Sequence, residues 1–348
     1  MCGACETGDG VGRRGLLRGA MAGAAAGMAL GVGTGTASAA TGEPARQRRA
    51  GSDVSLRWLG VAGWELAFDG RRILVDPYLS RQEYRVPGGS AIDPDRRLEP
   101  DSSTIETIVG RHLPEAPELM LVTHGHFDHL LDVPHLLNRR QWRGKSIRTL
   151  CGETSWHLLR AMGTQSKRVD ECLVVGGGEV LRFPAGPTAQ PPAYTVEVFR
   201  SLHSQYGDHG FFAPGTLTDP PRHVRTLGDM REGGTLAYQV TVGDRLRVMF
   251  LSGTANLADR ELEGARPDVL VLGVSGHAAV HRYVERAMEV LGRPPVVVPS
   301  HHDDMLTPLL SPNLPDSIGK DAITALRATV HAYGAEVLEP RHLHTLAL

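Results

Sequence analysis

The chain has 348 residues, 41% of them apolar and 22% charged, with a formal net charge of −2. That length and apolar content suffice for one large domain or two small ones with a full core. The balanced charge gives no footing to a nucleic-acid or anionic-membrane partner, and beyond the N-terminus no apolar run of about twenty residues is available to cross a bilayer.

Residues 1–39 read as an export signal. Arg13-Arg14 precedes the apolar Leu16-Leu17, residues 19–33 form a mild Ala/Gly/Met stretch, and Ala37-Ser38-Ala39 fits a small-residue cleavage site. The weak apolarity of the stretch favours the twin-arginine route, and with it a secreted or cell-envelope protein. Gly31, Gly33 and Gly35 do not make a phosphate loop, because no strand precedes them and no helix follows. Residues 40–53 are polar and Arg-rich and read as a flexible linker. Cys2 and Cys5 leave with the leader. Cys151 and Cys172 remain, and they fit either a disulfide of an oxidising compartment or two buried thiols.

The fold proper begins near Val54. Residues 56–60, 64–68 and 72–76 read as three strands, the last two joined across Asp69-Gly70, a strong hairpin signal. Asp76 ends the third strand just before Pro77, where capping a turn is one reading. Residues 80–103 carry Pro, Gly and charges of both signs without a period, a long loop of the kind that is often functional. Its Arg81, Arg85, Arg96 and Arg97 offer guanidinium groups to an anion. Asp93, Asp95, Glu99 and Asp101 lie among them, and a solvated mixed-charge loop accounts for the same residues. Residues 104–113 read as a helix.

Residues 119–122 are a short apolar run that reads as a buried strand. It leads into Thr123-His124-Gly125-His126-Phe127-Asp128-His129, where four metal-capable side chains fall within six residues. Gly125 permits a backbone turn that a Cβ would resist. The two imidazoles can then face one side and the Asp-His pair a neighbouring spot. Neutral imidazole and carboxylate suit zinc, manganese or iron. A polar loop rich in His is the plain alternative, but a buried strand running straight into such a cluster is hard to explain as packing.

His124-Gly125-His126-Phe127-Asp128-His129 resembles the HxHxDH signature of the metallo-β-lactamase superfamily. The resemblance implies an α/β fold, a four-layer αββα sandwich over residues 54–348, with the metal site at one edge of the two sheets. The opening segment resembles the branch that holds ascorbate-6-phosphate lactonase and the phospholipase D that cleaves N-acyl phosphatidylethanolamines. In that branch an aspartate at this strand end supports the metal site from behind the ligands, which gives Asp76 a second reading.

Beyond the motif, residues 133–140 and 155–162 read as helices, and residues 147–151, 169–175, 179–183 and 194–200 as strands. Gly176-Gly177-Gly178 is a turn and residues 184–192 a Pro-rich loop. His203 follows the strand at 194–200 and resembles the third superfamily histidine. Residues 204–232 are irregular, with apolar weight from Phe211, Phe212 and Pro214, and fit a lid, a pocket wall or a plain surface excursion. Residues 234–240 and 246–251 form a hairpin across Gly243-Asp244. Ser252-Gly253-Thr254 stands where the superfamily shows Ser/Thr-Gly-Asp, so Thr254 fills the place of a bridging aspartate. A strand at 268–273, an amphipathic helix at 280–292 and a buried strand at 296–298 lead to Pro299-Ser300-His301-His302. His301 matches the last ligand by position, with His302 as its rival. A helix at 318–333 and a short strand at 337–338 close the chain, and no internal repeat is visible.

The resemblance implies one metal on His124, His126 and His203, and a second on Asp128, His129 and His301. Asp128 would also serve catalysis. A threonine at the bridging position supplies no carboxylate, so the second ion is expected to bind more weakly or not at all. One or two zinc ions are expected, with manganese or iron as substitutes. The implied activity is that of an exported hydrolase using a metal-bound hydroxide on an ester, lactone or phosphodiester. A redox-metal enzyme on the same fold and a metal-binding protein with a decayed site are the alternatives. The partner expected is a small-molecule substrate, with no nucleic acid and no membrane anchor once the leader is gone. The sequence carries no sign of oligomeric state.

Overall fold

Period-two apolar patterning builds the first sheet as a meander. Strands β1 (Ser55–Gly60), β2 (Gly63–Phe68) and β3 (Arg71–Val75) pair antiparallel in sequence. Asp69 and Gly70 turn β2 into β3 with φ of 48° and 72°, the left-handed pair whose twist matches the flanking strands. The computed structural model of the chain describes residues 53–184, 191–206 and 208–348. The export signal, nearly all of the linker and most of the Pro-rich loop therefore lie outside the described residues.

The chain then passes through α1 (Ser102–His112), β4 (Leu119–Leu121), α2 (Phe127–Leu130), α3 (Val133–Asn138), β5 (Arg148–Cys151), α4 (Glu153–Ala161), α5 (Ser166–Asp170) and β6 (Cys172–Val174). Strands β3 to β6 are parallel neighbours. The second half runs through β7 (Val180–Phe183), β8 (Tyr194–Arg200), β9 (Leu236–Val242), β10 (Leu246–Leu251), α6 (Asp259–Leu262), β11 (Val269–Gly273), α7 (Tyr283–Val290), β12 (Val296–Ser300), α8 (Lys320–Ala332), β13 (Glu336–Val337) and β14 (Thr345–Ala347). It repeats the plan of the first half: β7 to β10 pair antiparallel and β10 to β13 parallel. Among the described residues these strands make two seven-stranded sheets, in the orders β14-β1-β2-β3-β4-β5-β6 and β13-β12-β11-β10-β9-β8-β7.

Burial separates three cores, and these define four layers. Leu119 and Leu121 join Trp58, Trp64, Tyr238, Phe250 and Val271 between the sheets. The alternate residues Met120 and Val122 pack with Ile105, Leu136 and Leu158 under the helices of the first half. Leu270, Leu272 and Val297 pack with Met288 and Leu326 under those of the second. Apolar residues at every position of β4 and β11 thus fit parallel strands covered on both faces. This is the αββα sandwich.

Most element expectations hold within a few residues. The strand expected over 169–175 does not form as one piece: its first part belongs to α5 and only Cys172–Val174 is strand. The reason is tertiary. The Arg168 guanidinium is buried and donates to the carbonyls of Leu137, Trp142 and Lys145, tying this turn of helix to the end of α3 and the loop after it. The sequence also gave no hint of β14, which borders β1 at the sheet edge. Cys151 and Cys172 are free thiols. No helix among the described residues is long and apolar enough to cross a membrane.

Candidate metal centre

Five chain segments end at one rim of the sandwich, and each delivers a site residue. Asp76 follows β3, the motif follows β4, His203 follows β8, Thr254 follows β10 and His301 follows β12. Parallel strands aim their ends the same way, and the crevice beyond those ends is where α/β sheets place their ligands.

The structure brings the six proposed ligands together as two groups of three. His124, His126 and His203 offer ring nitrogens within 4.8 Å of one another, and so do Asp128, His129 and His301 with two nitrogens and a carboxylate oxygen. In the first group His126 Nδ1 lies 3.1 Å from both His124 Nε2 and His203 Nε2. One proton on His126 Nδ1 satisfies one of those contacts and leaves the other as two facing lone pairs. A cation between them satisfies all three. Ligand nitrogens about 2.0–2.1 Å from a tetrahedral zinc stand roughly 3.3 Å apart, close to the spacing seen.

The neighbours of these rings fix their tautomers. Thr123 Oγ1 donates its one proton to Asp76 Oδ2 at 2.6 Å, so it can only accept from His124 Nδ1, 3.1 Å away. His203 Nδ1 donates to the carbonyl of Ser204 at 2.8 Å. Both rings therefore turn an unprotonated Nε2 toward the centre. Burial comes first among the causes that hold all three rings neutral: His124 sits well below the usual imidazole range, His126 is lowered to about 3, and His203 is lowered. Neutral imidazole is the ligand form.

The second group carries charge. Asp128 Oδ2 lies 3.2 Å from His129 Nε2 and 3.1 Å from His301 Nε2. Burial opposes a proton on His129, but Asp128 and Asp76 outweigh it and raise the ring to about 10. Burial likewise opposes the Asp128 anion, and His129 and His301 outweigh it, holding the carboxyl well below its usual range. A metal bound here would take the place of the His129 proton, as metal binding at imidazole generally does. His129 Nδ1 meanwhile donates to Asp76 Oδ2 at 2.8 Å. Asp76 is fully buried, and its other oxygen accepts from the Thr123 amide at 2.7 Å. It is thus placed behind the groups, where it orients one ring of each; its φ of 40° is rare for a non-glycine residue.

The glycines of the site act by close approach. Gly125 is not among the positive-φ glycines, so the turn proposed for it is not its role. A Cβ there would overlap the Arg231 carbonyl and press on Leu158. Its amide donates to the Glu232 carbonyl at 2.9 Å, which docks the end of the 204–232 excursion on the motif. At Gly253 a Cβ would overlap Thr123 Oγ1.

The remaining expected residues separate cleanly. Thr254 Oγ1 donates to the Leu202 carbonyl at 2.7 Å, and Asn256 Nδ2 donates to the His203 carbonyl at 3.0 Å. This loop therefore holds the His203 loop in place and supplies no carboxylate. His301 reaches Asp128, whereas His302 stacks on Trp58 with centroids 4.2 Å apart and planes 9° apart. His302 thus belongs to packing. Arg81, a candidate for anion binding, is buried and spends its guanidinium on Asp303 at 2.8 Å and Asp304 at 3.0 Å. Arg85 pairs with Glu83.

Three contributors escaped the sequence reading. Thr123 sets the His124 tautomer, and a hydroxyl directly before the motif was the available signal. Asp132 accepts from the amides of Leu79 and Ser80 at 2.6 and 2.7 Å, anchoring the start of the first long loop. Asp303 accepts from the Val61 amide at 3.1 Å and from His342 at 2.8 Å, while the Val61 carbonyl accepts from the His301 amide at 2.8 Å. His301 itself has φ of 54°, so this clamp holds the proposed ligand in a sparsely populated conformation.

The family model described as a β-lactamase superfamily domain matches residues 55–301, from β1 to the last proposed ligand. The chain belongs to that superfamily. A UPF0173 metal-dependent hydrolase of Methanopyrus kandleri is 24% identical over 252 residues, covering 72% of this chain and 84% of the relative. A second UPF0173 metal-dependent hydrolase, from Cupriavidus necator, is 24% identical over 274 residues, covering 76% and 79%. Family and relatives together put the chain among the metal-dependent hydrolases of the β-lactamase superfamily. Among solved structures, a "possible metal-dependent hydrolase" of Veillonella parvula superposes with a TM-score of 0.51 at 16% identity, covering 86% of this chain and all of the other. The diiron β-hydroxylase CmlA of Streptomyces venezuelae has the same TM-score at 18% identity, covering 86% of this chain and 55% of its own. These two likenesses concern the fold.

Proposed function

We propose that this superfamily member is a hydrolase in which His124, His126 and His203 hold one divalent cation and Asp128, His129 and His301 hold a second, weaker one. The observation that carries the reading is the convergence of three neutral imidazoles, two buried and His203 half-buried, on one point, each with an unshared nitrogen and no proton supply to satisfy all of them. Zinc suits this donor set, and manganese or iron can replace it. A divalent ion held by these residues would supply Lewis-acid chemistry, acidifying a water to a pKa of about 7 and polarising an acyl or phosphoryl oxygen. The chain's own residues do the rest. Asp128, the one carboxylate of the two groups, orients the nucleophile and accepts its proton. Asp76 and Thr123 hold the rings of His129 and His124 against rotation. The 204–232 excursion walls the site from bulk water.

An ester, lactone or phosphodiester is the substrate class, in keeping with the likeness of the opening segment to the lactonase and phospholipase D branch. Residues 1–39 direct twin-arginine export in this proposal, and Arg13→Lys with Arg14→Lys holds the precursor in the cytoplasm; a normal exported yield would overturn that part. The activity is tested with esters, lactones, phosphodiesters and β-lactams on protein as isolated, after chelation and after zinc is restored. Hydrolysis that disappears and returns supports the proposal. Hydrolysis that survives full removal of metal contradicts it, and an iron-loaded protein that consumes oxygen without hydrolysing the panel favours the redox alternative.

A further inference from the structure

The two long irregular segments face each other across a cavity of about 860 Å³, within the size range of small-molecule sites. Ile92 and Pro94 line it from the first loop, and Tyr206, Phe211, Phe212 and Pro214 from the second. Two of its aromatic walls also pack against the three-His group. The Phe211 ring stacks on His203 with centroids 4.6 Å apart, and the Phe212 ring lies 5.5 Å from His126. Phe211 and Phe212 are thus the walls that the cavity shares with two of the proposed ligands.

The charge inventory restricts the occupant. Asp95, Asp229 and Arg231 are the charged residues of the lining. Asp229 spends a carboxylate oxygen on the amides of Arg225 and Thr226. Arg231 is exposed and has Asp229 for an electrostatic partner. The guanidinium groups of Arg81 and Arg85 are taken by Asp303, Asp304 and Glu83. The lining thus sets two carboxylates, Asp95 and Asp229, against the one guanidinium of Arg231, so a phosphate or sulfate meets net negative charge there. Aromatic and aliphatic walls reward the opposite chemistry.

We infer that the cavity seats the apolar arm of an uncharged carbonyl substrate, an alkyl lactone or ester, with Phe212 and Ile92 setting specificity. This rests on the hydrolase reading above and narrows it. In the reaction the water oxygen bonds to the acyl carbon and the bond from that carbon to the alkoxy oxygen breaks. One water proton ends on the alcohol and the other is released with the carboxylate. Each methylene buried on the way to the transition state contributes about a fourfold gain in kcat/KM, so lengthening an acyl chain from two to six carbons gains on the order of 100-fold.

The test uses the metal-loaded protein, p-nitrophenyl esters from acetate to octanoate, and bis(p-nitrophenyl) phosphate. In parallel, calorimetry compares 2-decanone with 2-butanone, apolar carbonyl probes that cannot be hydrolysed. A rise in kcat/KM with chain length, little phosphodiester turnover and selective 2-decanone binding are expected. Phe212→Ala flattens the chain-length slope and weakens 2-decanone about 10-fold, with metal content retained. Ile92→Ala, in a half-buried loop position, flattens it less and serves if Phe212→Ala does not fold. A flat slope, a preference for the phosphodiester, or equal binding of the two ketones overturns the inference while leaving the hydrolase reading intact. Selective ketone binding with hydrolysis of neither the p-nitrophenyl esters nor the phosphodiester overturns the hydrolase reading and leaves the apolar site standing.

Discussion

The two proposed ligand groups share one loop and one rim of the sandwich, yet their electrostatics are opposite. His124, His126 and His203 are kept neutral by burial, and the outer nitrogens of His124 and His203 face a hydroxyl and a carbonyl that accept protons but carry no charge. His129, one turn further on, sits between two carboxylates that raise it to about 10. The difference teaches that the HxHxDH spacing supplies nitrogen and oxygen atoms, while the residues behind them decide what charge those atoms carry. The first group is in ligand form at neutral pH, and the second must shed a proton before a metal enters.

The largest effect separates ligand from packing. His126→Ala removes the nitrogen common to both contacts of the first group, and kcat/KM is expected to fall on the order of 1,000-fold, since even residues behind ligands are worth about 10–100-fold. His302→Ala, in the Trp58 stack, is expected to lose melting temperature and to keep activity within about tenfold. Steady-state kinetics on both variants checks this, and equal losses would break the distinction.

Asp76→Asn comes next. The amide cannot accept from Thr123 and His129 through both of its ends, so affinity for the second ion is expected to fall about 10–100-fold, with a smaller change at the first. Metal titration with a competing chelator reads the two separately. An equal loss at both would mean that Asp76 acts through the backbone of the whole motif.

The pH dependence of the metal-free protein sharpens the contrast further. The folded-state pKa of His129 is raised to about 10 from 6.5 by Asp128 and Asp76 against the effect of burial. Its contribution to stability is therefore complete below about pH 6.5 and is lost as pH climbs through about 10. Thermal melting of chelator-treated protein is expected to drop by several degrees between pH 7 and 10. Metal-loaded protein, with the proton already displaced, is expected to stay flat over that range.

The smallest effect is at Thr254. Thr254→Val leaves the Leu202 carbonyl without its donor and is expected to cost about 1–3 kcal/mol, while Thr254→Ser restores the bond and most of the loss. Chemical denaturation of both variants measures it. Thr254→Asp would turn a carboxylate against the Leu202 carbonyl that Thr254 now holds.

Much of this was legible in the sequence, for identifiable reasons. The motif, His203 and His301 all follow strands, and strands announce themselves by apolar runs and hairpin signals such as Asp69-Gly70. The long segments at 80–103 and 204–232 stood out by their lack of period, and they do face one cavity. What stayed hidden depends on partners far along the chain. Arg81 meets Asp303 across 222 residues, and Thr123 meets Asp76 across 47. No local pattern encodes either pair. Residues 169–170, the end of the helical turn at Ser166–Asp170, read as strand because the turn is stabilised from outside, by Arg168 on the carbonyls of Leu137, Trp142 and Lys145. Gly125 was legible as a necessary glycine, but its reason, the Arg231 carbonyl packed on it, required the fold.

The central claim is that three neutral imidazoles form the tight site and the Asp128 group a weaker one. Elemental analysis after dialysis against a weak chelator tests it on the natural protein, His203→Ala and His301→Ala. The account predicts close to one ion in the natural protein, close to one in His301→Ala and almost none in His203→Ala. Full metal content in His203→Ala, or an ion lost from His301→Ala and kept by His203→Ala, would contradict it.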